Sequence, residues 1–397
     1  MLEPLLPLAG VRVVDFGHVW AGPYCAATLA DLGAEVIKIE SERRLDVHRR
    51  QGPYPEGRPG INRSGVWNAQ NRNKQSLMLD LATDEGREEV RRLVAHSDIV
   101  IENFSPGVMA KLGLSYDSLA AVKPDIIMIS LSAYGQEGPQ KHYVGYGPSL
   151  DATSGLCSLT AYQDRCPNAL GGIFSDTGSA LYGVFAVLKA LRERDRSGHG
   201  AYIDFSELEL CALLAADMLV RFPGEDVPVE WLGNNDPYNV PQGAYPCAGD
   251  DRWIMISIDT DAAWLGLCET IGKPEWAGAA EYGTPQSRAA RRDEIDAAIG
   301  VWTKRHVPDD AFRSLQARGV PAGLAYDMPG LLDDEQVKAR KFFVSVDHPE
   351  VGAQIVYAPI WRFDDTVGEV RPAPLLGQNN LDAVPYSGGS ASSGVRS

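Results

Sequence analysis

The apolar residues of the first two hundred positions alternate between two rhythms. Short runs suited to buried strands stand at VRVVDF (11–16), AEVIKIE (34–40), DIVIENF (98–104), DIIMISLSAYG (125–135) and AYIDFSE (201–207). Between them lie stretches of helical character: Cys25–Leu32, DEGREEVRRLVAHS (84–97) with Asp84 near its start, and a short turn around Val108–Lys111. The longest begins at Asp176, where Leu181, Val184, Phe185, Leu188 and Leu191 share one face and Gly198 marks the stop. Strands that alternate with helices pair in parallel, so the pattern predicts an α/β fold with a doubly wound sheet.

Farther on the rhythm breaks. Residues 222–250 are rich in Pro, Gly, Asn and Asp and read as a long loop or linker. WIMISI then predicts a strand, followed by helices near 259–272, 287–306, 308–318 and 330–342 and a β-rich stretch at 343–360. The end, SGGSASSGVRS, is low in complexity and is expected to be mobile.

Composition narrows the class. A chain of 397 residues can hold more than one core, since single cores stop growing at roughly 250–300 residues. With 37 Lys+Arg against 53 Asp+Glu the net charge is −16, which argues against nucleic acid or an anionic membrane as a partner of the whole surface. A polyanionic small ligand would need a local basic patch. The N-terminus has neither the basic start nor the apolar run of a signal peptide, and no stretch approaches the ~18–20 apolar residues of a membrane span. Six cysteines without CxxC pairing (Cys25, Cys157, Cys166, Cys211, Cys247, Cys268) suggest reduced, mostly buried thiols. The expectation is a cytoplasmic enzyme.

The candidate chemistry sits in three places. The first strand leads into GHVWAG, whose glycines are spaced as Gly17-xxxx-Gly22. That spacing is not the GxGxxG of a dinucleotide fold, and His18, Val19 and Trp20 would crowd a pyrophosphate. The histidines show no spacing for a metal site or a nucleophile–base pair, so no metal is expected. Basic residues gather in the first third (Lys38, Arg43, Arg44, Arg72, Lys74 and Lys111), several near strand ends where α/β sheets bind ligands. Asp176 lies in GGIFSDTGSALYG. An aspartate there suits a helix N-cap, but Gly171, Gly172 and Gly178 would also let a ligand approach its carboxylate, with helix N–H groups near to stabilise an oxyanion.

Taken in order, the blocks LAGVRVVDFGHVWAGP, LADLGAEVIKIE, NRNKQSLMLDL, ENFSPGVMAKLGL, GYGPSLDATSG, SDTGSALYGVFAVLKAL, SGHGAYIDFSELE and APLLGQNN resemble the class III (CaiB/BaiF-type) coenzyme A transferases, the family of formyl-CoA transferase and carnitine CoA-transferase. The resemblance implies that Asp176 is the nucleophile. It puts coenzyme A contacts on His18, Val19, Ala21, Asn103, Phe104 and Lys111, with Arg43, Arg44, Arg72 and Lys74 as candidates for the phosphates. Ser41 occupies the place of a basic residue common in the family, so Arg43 or Arg44 would substitute. The substrate side falls on Trp20 and Tyr146. The glycine-rich flap of the formyl-CoA enzyme is replaced by GNNDPYNVPQGAYPCAGDDRW, which puts oxalate as acceptor in doubt.

The family fold implies a Rossmann-like large domain with a parallel sheet, begun by residues 1–222, and a smaller α/β domain with its linkers over 223–325. Residues 326–385 would return to the large domain and 386–397 form the tail. Two chains would interlock as a homodimer, or the chain would join a related subunit in a heteromer. The implied reaction passes CoA from an acyl-CoA such as succinyl-CoA to a free carboxylic acid. The CoA thioester is then a substrate, and no cofactor is tightly bound. A 2-methylacyl-CoA racemase is the alternative within the family, but the position of its histidine holds Tyr146, a poor base with an ordinary pKa of ~10.

Overall fold

The computed structural model describes residues 6–161, 170–171, 174–216, 233–363 and 368–380. The chain divides into two compact units: Met1–Cys157 with Ala169–Glu225 and Lys341–Ser397, and Ser158–Asn168 with Asp226–Arg340. The first unit is built in chain order from β1 (Arg12–Asp15), α1 (Ala21–Asp31), β2 (Glu35–Glu40), α2 (Gly65–Gln70), β3 (Gln75–Met78), α3 (Asp84–Ala95), β4 (Ile99–Glu102), α4 (Val108–Lys111), α5 (Tyr116–Ala120), β5 (Ile127–Ser132), α6 (Gly147–Thr153), α7 (Phe174–Ser197), β6 (Ala201–Ser206) and α8 (Glu207–Leu214). Its six strands pair in parallel in the order β3-β2-β1-β4-β5-β6, the doubly wound arrangement that the alternating pattern predicts.

Why the central strands read as unbroken apolar runs is plain from the packing. Val13, Ile99, Ile101, Ile127 and Ile129 face α1 and α7, meeting Cys25, Leu29, Val184, Val187 and Leu191. Their neighbours Val14, Val100 and Met128 face the other way, onto Val90, Leu93 and Val94 of α3. With both faces covered, polar alternation has no place.

The sheet's β3 edge is sealed by the C-terminal segment. Asn379 and Asn380 accept from the N–H groups of Ser76 (3.0 Å) and Met78 (2.7 Å). The Asn379 N–H donates to the Ser76 carbonyl (3.0 Å), and Asn73 and Arg371 exchange two further bonds of 3.2 and 2.6 Å. The edge thus has its backbone groups occupied. The same unit carries the antiparallel hairpin of β10 (Phe343–His348) and β11 (Gly352–Tyr357).

The second unit has a three-stranded antiparallel sheet, β7 (Gln242–Pro246), β8 (Trp253–Ser257) and β9 (Ala322–Leu324), in that order. Ile254, Ile256, Leu267, Ile295, Ile299 and Leu315 fill its core beside stacked Trp264, Trp276 and Tyr282. The run 222–250 therefore contains a strand that its loop-like composition hid. The helix predicted at 330–342 is two, Met328–Asp333 and Glu335–Ala339. Asp334 between them is non-helical (ψ 131°) and caps the second by accepting from Val337 N–H. Among the described residues no helix is long and apolar enough to cross a membrane. Cys25, Cys211, Cys247 and Cys268 are buried free thiols, and Cys166 lies outside the described residues.

Candidate active site

Every loop at the carboxyl end of the parallel strands contributes to one region, with the strand order reversing between β1 and β4. The loop after β1 is held from several sides. Gly17 N–H donates to Asp15 Oδ1 (2.7 Å), and Lys38 Nζ donates to the Gly17 carbonyl. A Cβ at Gly17 would lie 2.8 Å from the Gly22 carbonyl carbon and from Pro23, so only glycine lets the loop close on the start of α1. His18 N–H donates to Asn103 Oδ1 and Asn103 Nδ2 donates back to the His18 carbonyl, both at 2.8 Å, which ties the β1 loop to the β4 loop. Val19 then takes φ 65°, a left-handed conformation costly for a β-branched residue, with its N–H shared by the two oxygens of buried Asp46 (3.3 and 3.2 Å).

These loops frame two adjoining clefts. The larger, ≈ 390 Å³, is lined by His18, Val19, Asn103, Phe104, Arg44, Lys141, Tyr146, Asp176 and Glu207. The smaller, ≈ 200 Å³, is mainly apolar, with Phe16, Ile39, Leu79, Leu81 and Leu112 in its wall and Arg43 and Arg44 beside it. His18, Arg44, Phe104 and Val108 line both, so the clefts share a wall. The His18 and Phe104 rings meet edge to face, 5.5 Å between centroids. Burial, reinforced by Lys38, lowers the pKa of His18 and favours the neutral imidazole.

At the far end of the larger cleft the electrostatics turn acidic. Asp176 is the third residue of α7, inside the first turn rather than at its N-cap. Its pKa is pushed up to about 6, by burial first and then by the carboxyl of Asp151 on α6. Asp151 is itself raised by burial. Glu207, at the start of α8, is pushed up to about 8 by burial and by Asp176. The turn that carries Asp176 is anchored across the site, since Trp20 Nε1 donates to Thr177 Oγ1 (3.1 Å).

The residues expected from the sequence thus separate. Asp176, His18, Val19, Asn103, Phe104, Arg44 and Tyr146 line the larger cleft and Arg43 the smaller one, while Trp20 lines neither and bonds Thr177, next to Asp176 in the chain. Ala21 is wholly buried at the start of α1, and Lys111 is exposed on α4 and lines neither cleft. Arg72 and Lys74 correct the expectation of phosphate binding. Arg72 pairs with Asp31 beneath the Tyr357 ring. Lys74 Nζ donates to Asp15 (2.8 Å), the Pro23 carbonyl (2.7 Å) and Asn71 (2.9 Å). Both side chains are sealed from solvent in ion pairs that hold the β1 loop and α1 in place. Gly178 also differs from expectation: a Cβ there would lie 3.1 Å from Leu210, so it serves the packing of α7 on α8. Gly172 lies outside the described residues.

Sequence reasoning missed Asp46, Asp151 and Glu207. Glu207 carried a signal, a carboxylate directly after a strand and opening an apolar helix. The acids' convergence on Asp176 comes from helix packing and has no sequence mark. Among the described residues no group of three or more His, Cys, Asp or Glu is arranged to hold a metal.

Comparison with known proteins matches this geometry to a family. The model of CoA-transferase family III matches residues 8–380. The chain is 35% identical over 381 residues to the succinyl-CoA--D-citramalate CoA-transferase of Chloroflexus aurantiacus, covering 96% of this chain and 94% of that one. It is 31% identical to the succinyl-CoA--L-malate CoA-transferase beta subunit of the same organism, over 96% and 93% of the two chains. The crystal structure of a CaiB/BaiF family protein from Brucella suis superposes with a TM-score of 0.84 at 32% identity, covering 95% of this chain and 98% of that one.

Proposed function

This chain belongs to CoA-transferase family III and is a class III CoA-transferase, and from that premise we propose that it moves coenzyme A from succinyl-CoA to a free carboxylic acid through covalent intermediates on Asp176. The observation that carries the reading is the pair of adjoining clefts, an apolar one beside two arginines and a larger one that reaches Asp176. Coenzyme A has the matching polarity. Its adenine suits the apolar cleft, its phosphates the Arg43 and Arg44 guanidinium groups, and its thioester the Asp176 end.

The chemistry follows from the need to keep the acyl group activated. The Asp176 carboxylate attacks the thioester carbonyl, the C–S bond breaks and CoA leaves as thiolate, giving a mixed anhydride. The thiolate attacks the Asp176 carbonyl, the donor acid departs as carboxylate, and an aspartyl-CoA thioester remains. The acceptor carboxylate repeats the first step on this thioester, and the thiolate then takes the acceptor's acyl group and frees Asp176. Protons balance throughout, and each step exchanges one activated acyl bond for another. A carboxyl raised to about 6 is still mostly ionised at neutral pH and is a stronger nucleophile than an ordinary aspartate. Its helix-start position offers N–H dipoles to the developing oxyanion. The clamped His18–Val19 peptide and the Trp20–Thr177 bond keep the facing walls rigid.

The acceptor in this reading is a small di- or hydroxy-dicarboxylic acid, as in the relatives' names, with Lys141 available to its second carboxylate. The assembly in this reading is a dimer of identical chains. Its support is the outer face of α7, where Phe174, Leu181, Tyr182, Phe185 and Leu188 all stand exposed, Phe185 by 69%. The test of the activity is a screen of free acids with succinyl-CoA and acetyl-CoA, read by mass spectrometry. New CoA esters that depend on the added acid are expected, and hydrolysis alone would refute the reading.

A further inference from the structure

We infer that Glu207 is the specificity residue for the acceptor, presenting its carboxyl O–H as a hydrogen-bond donor to the carboxylate of the incoming acid beside Asp176. This deepens the transferase reading and rests on it. Glu207 opens α8 directly from the carboxyl end of β6, and its side chain, 7% exposed, lines the same cleft as Asp176. Helix α8 packs on both α7 and α6, which brings Glu207 into reach of Asp176, itself beside Asp151. The transfer step requires an anionic acid to enter this corner and lie next to an acyl group on Asp176. Three ionised carboxyls would repel it.

A neutral Glu207 removes one of those charges and supplies a donor where none of the three acids could otherwise offer one. The groups that face it account for the neutral form. Burial and Asp176 from α7 disfavour its ionisation; Asp151 from α6 acts on Asp176 in turn, and Cys211 on the same helix as Glu207 carries a thiol raised by burial and by Asp151, Glu207 and Asp176. The cations of the cleft are Arg44 from the loop after β2 and Lys141 from the loop after β5, which also brings the phenols of Tyr134, Tyr143 and Tyr146, and burial favours the neutral form of His18 in the loop after β1. With its pKa at about 8, Glu207 keeps its proton at neutral pH and loses it in mild alkali. The proton is never transferred: it is shared with the acid's oxygen while that acid attacks, and stays on Glu207.

The test is steady-state kinetics of acid-dependent CoA exchange between pH 6 and 9.5 with the parent, Glu207→Gln and Glu207→Leu. In the parent the KM for the acid is expected to climb above pH ~8, by up to roughly tenfold per unit, as a third carboxylate appears. Glu207→Gln keeps a donor that cannot ionise, so its KM for the acid at pH 7 should rise by less than about fivefold and then stay flat to pH 9.5. Glu207→Leu should raise that KM by roughly 10- to 100-fold while the KM for acyl-CoA stays within about threefold, the loss of one charge-assisted hydrogen bond. Should the leucine variant not fold, the glutamine profile decides alone. A glutamine variant whose KM climbs with pH as the parent's does, or one inactive at every pH, overturns the inference. If the parent itself shows no acid-dependent exchange, the transferase reading has failed instead.

Discussion

Replacing Asp176 by asparagine is expected to stop the enzyme and stabilise its fold in the same stroke. The carboxyl sits in the cleft with its pKa moved from 3.8 to about 6, because burial and the neighbouring Asp151 both disfavour its charge. A shift of roughly two units corresponds to roughly 3 kcal/mol of destabilisation of the ionised native state, at ~1.4 kcal/mol per unit. Solvent in the open cleft screens part of it, so the expected gain for Asp176→Asn is about 1–2 kcal/mol, or a rise of roughly 1–3 °C in Tm for a chain of this size. The sign depends on pH. Below pH ~4 the folded and unfolded carboxyls both hold the proton, and the variant has no advantage. Between about 4 and 6 the unfolded chain ionises first, which draws stability from the parent, and above about 6 the full difference stands. Denaturant unfolding of both proteins at pH 4, 5.5 and 7.5, followed by circular dichroism, measures it. Equal stability at pH 7.5, or a difference unchanged at pH 4, would refute the claim that folding strains this carboxylate.

Two further outcomes separate structural from ligand-binding cations. Lys74→Met leaves buried Asp15 with Lys38, at 3.9 Å, as its remaining cation beside the Gly17 N–H, and should cost about 3–5 kcal/mol in denaturant melts, while the KM for acyl-CoA of the folded fraction keeps its salt dependence. Arg44→Ser should do the reverse, with stability unchanged and the KM for acyl-CoA raised on the order of tenfold at low salt with little effect on kcat.

The parallel sheet was legible in the sequence because its inner strands are buried on both faces, so β1, β2, β4 and β5 stand out as apolar runs between amphipathic helices, and β6, though a half-buried edge, keeps an apolar alternation. Strand β3 was not, since at the sheet edge its QSLM carries only two buried residues and the groups that occupy its outer side come from residues 371–380, three hundred positions away. The site divides the same way. Asp176, His18 and Asn103 sit in sequence blocks with a recognisable form. Arg72 and Lys74 read as available cations because sequence shows a charge but not its partner, and Asp31 and Asp15 lie 41 and 59 positions from them. Asp151 and Glu207 join Asp176 only through the packing of α6 and α8 on α7.

The central claim, that acyl transfer runs through Asp176, is tested most directly by trapping. The protein is incubated with succinyl-CoA, quenched with hydroxylamine or borohydride, digested and mapped by mass spectrometry. Modification confined to the peptide of Asp176, dependent on succinyl-CoA and absent from Asp176→Asn, is the predicted result. CoA exchange that proceeds while Asp176 remains unmodified, or that survives in the asparagine variant, would contradict the account.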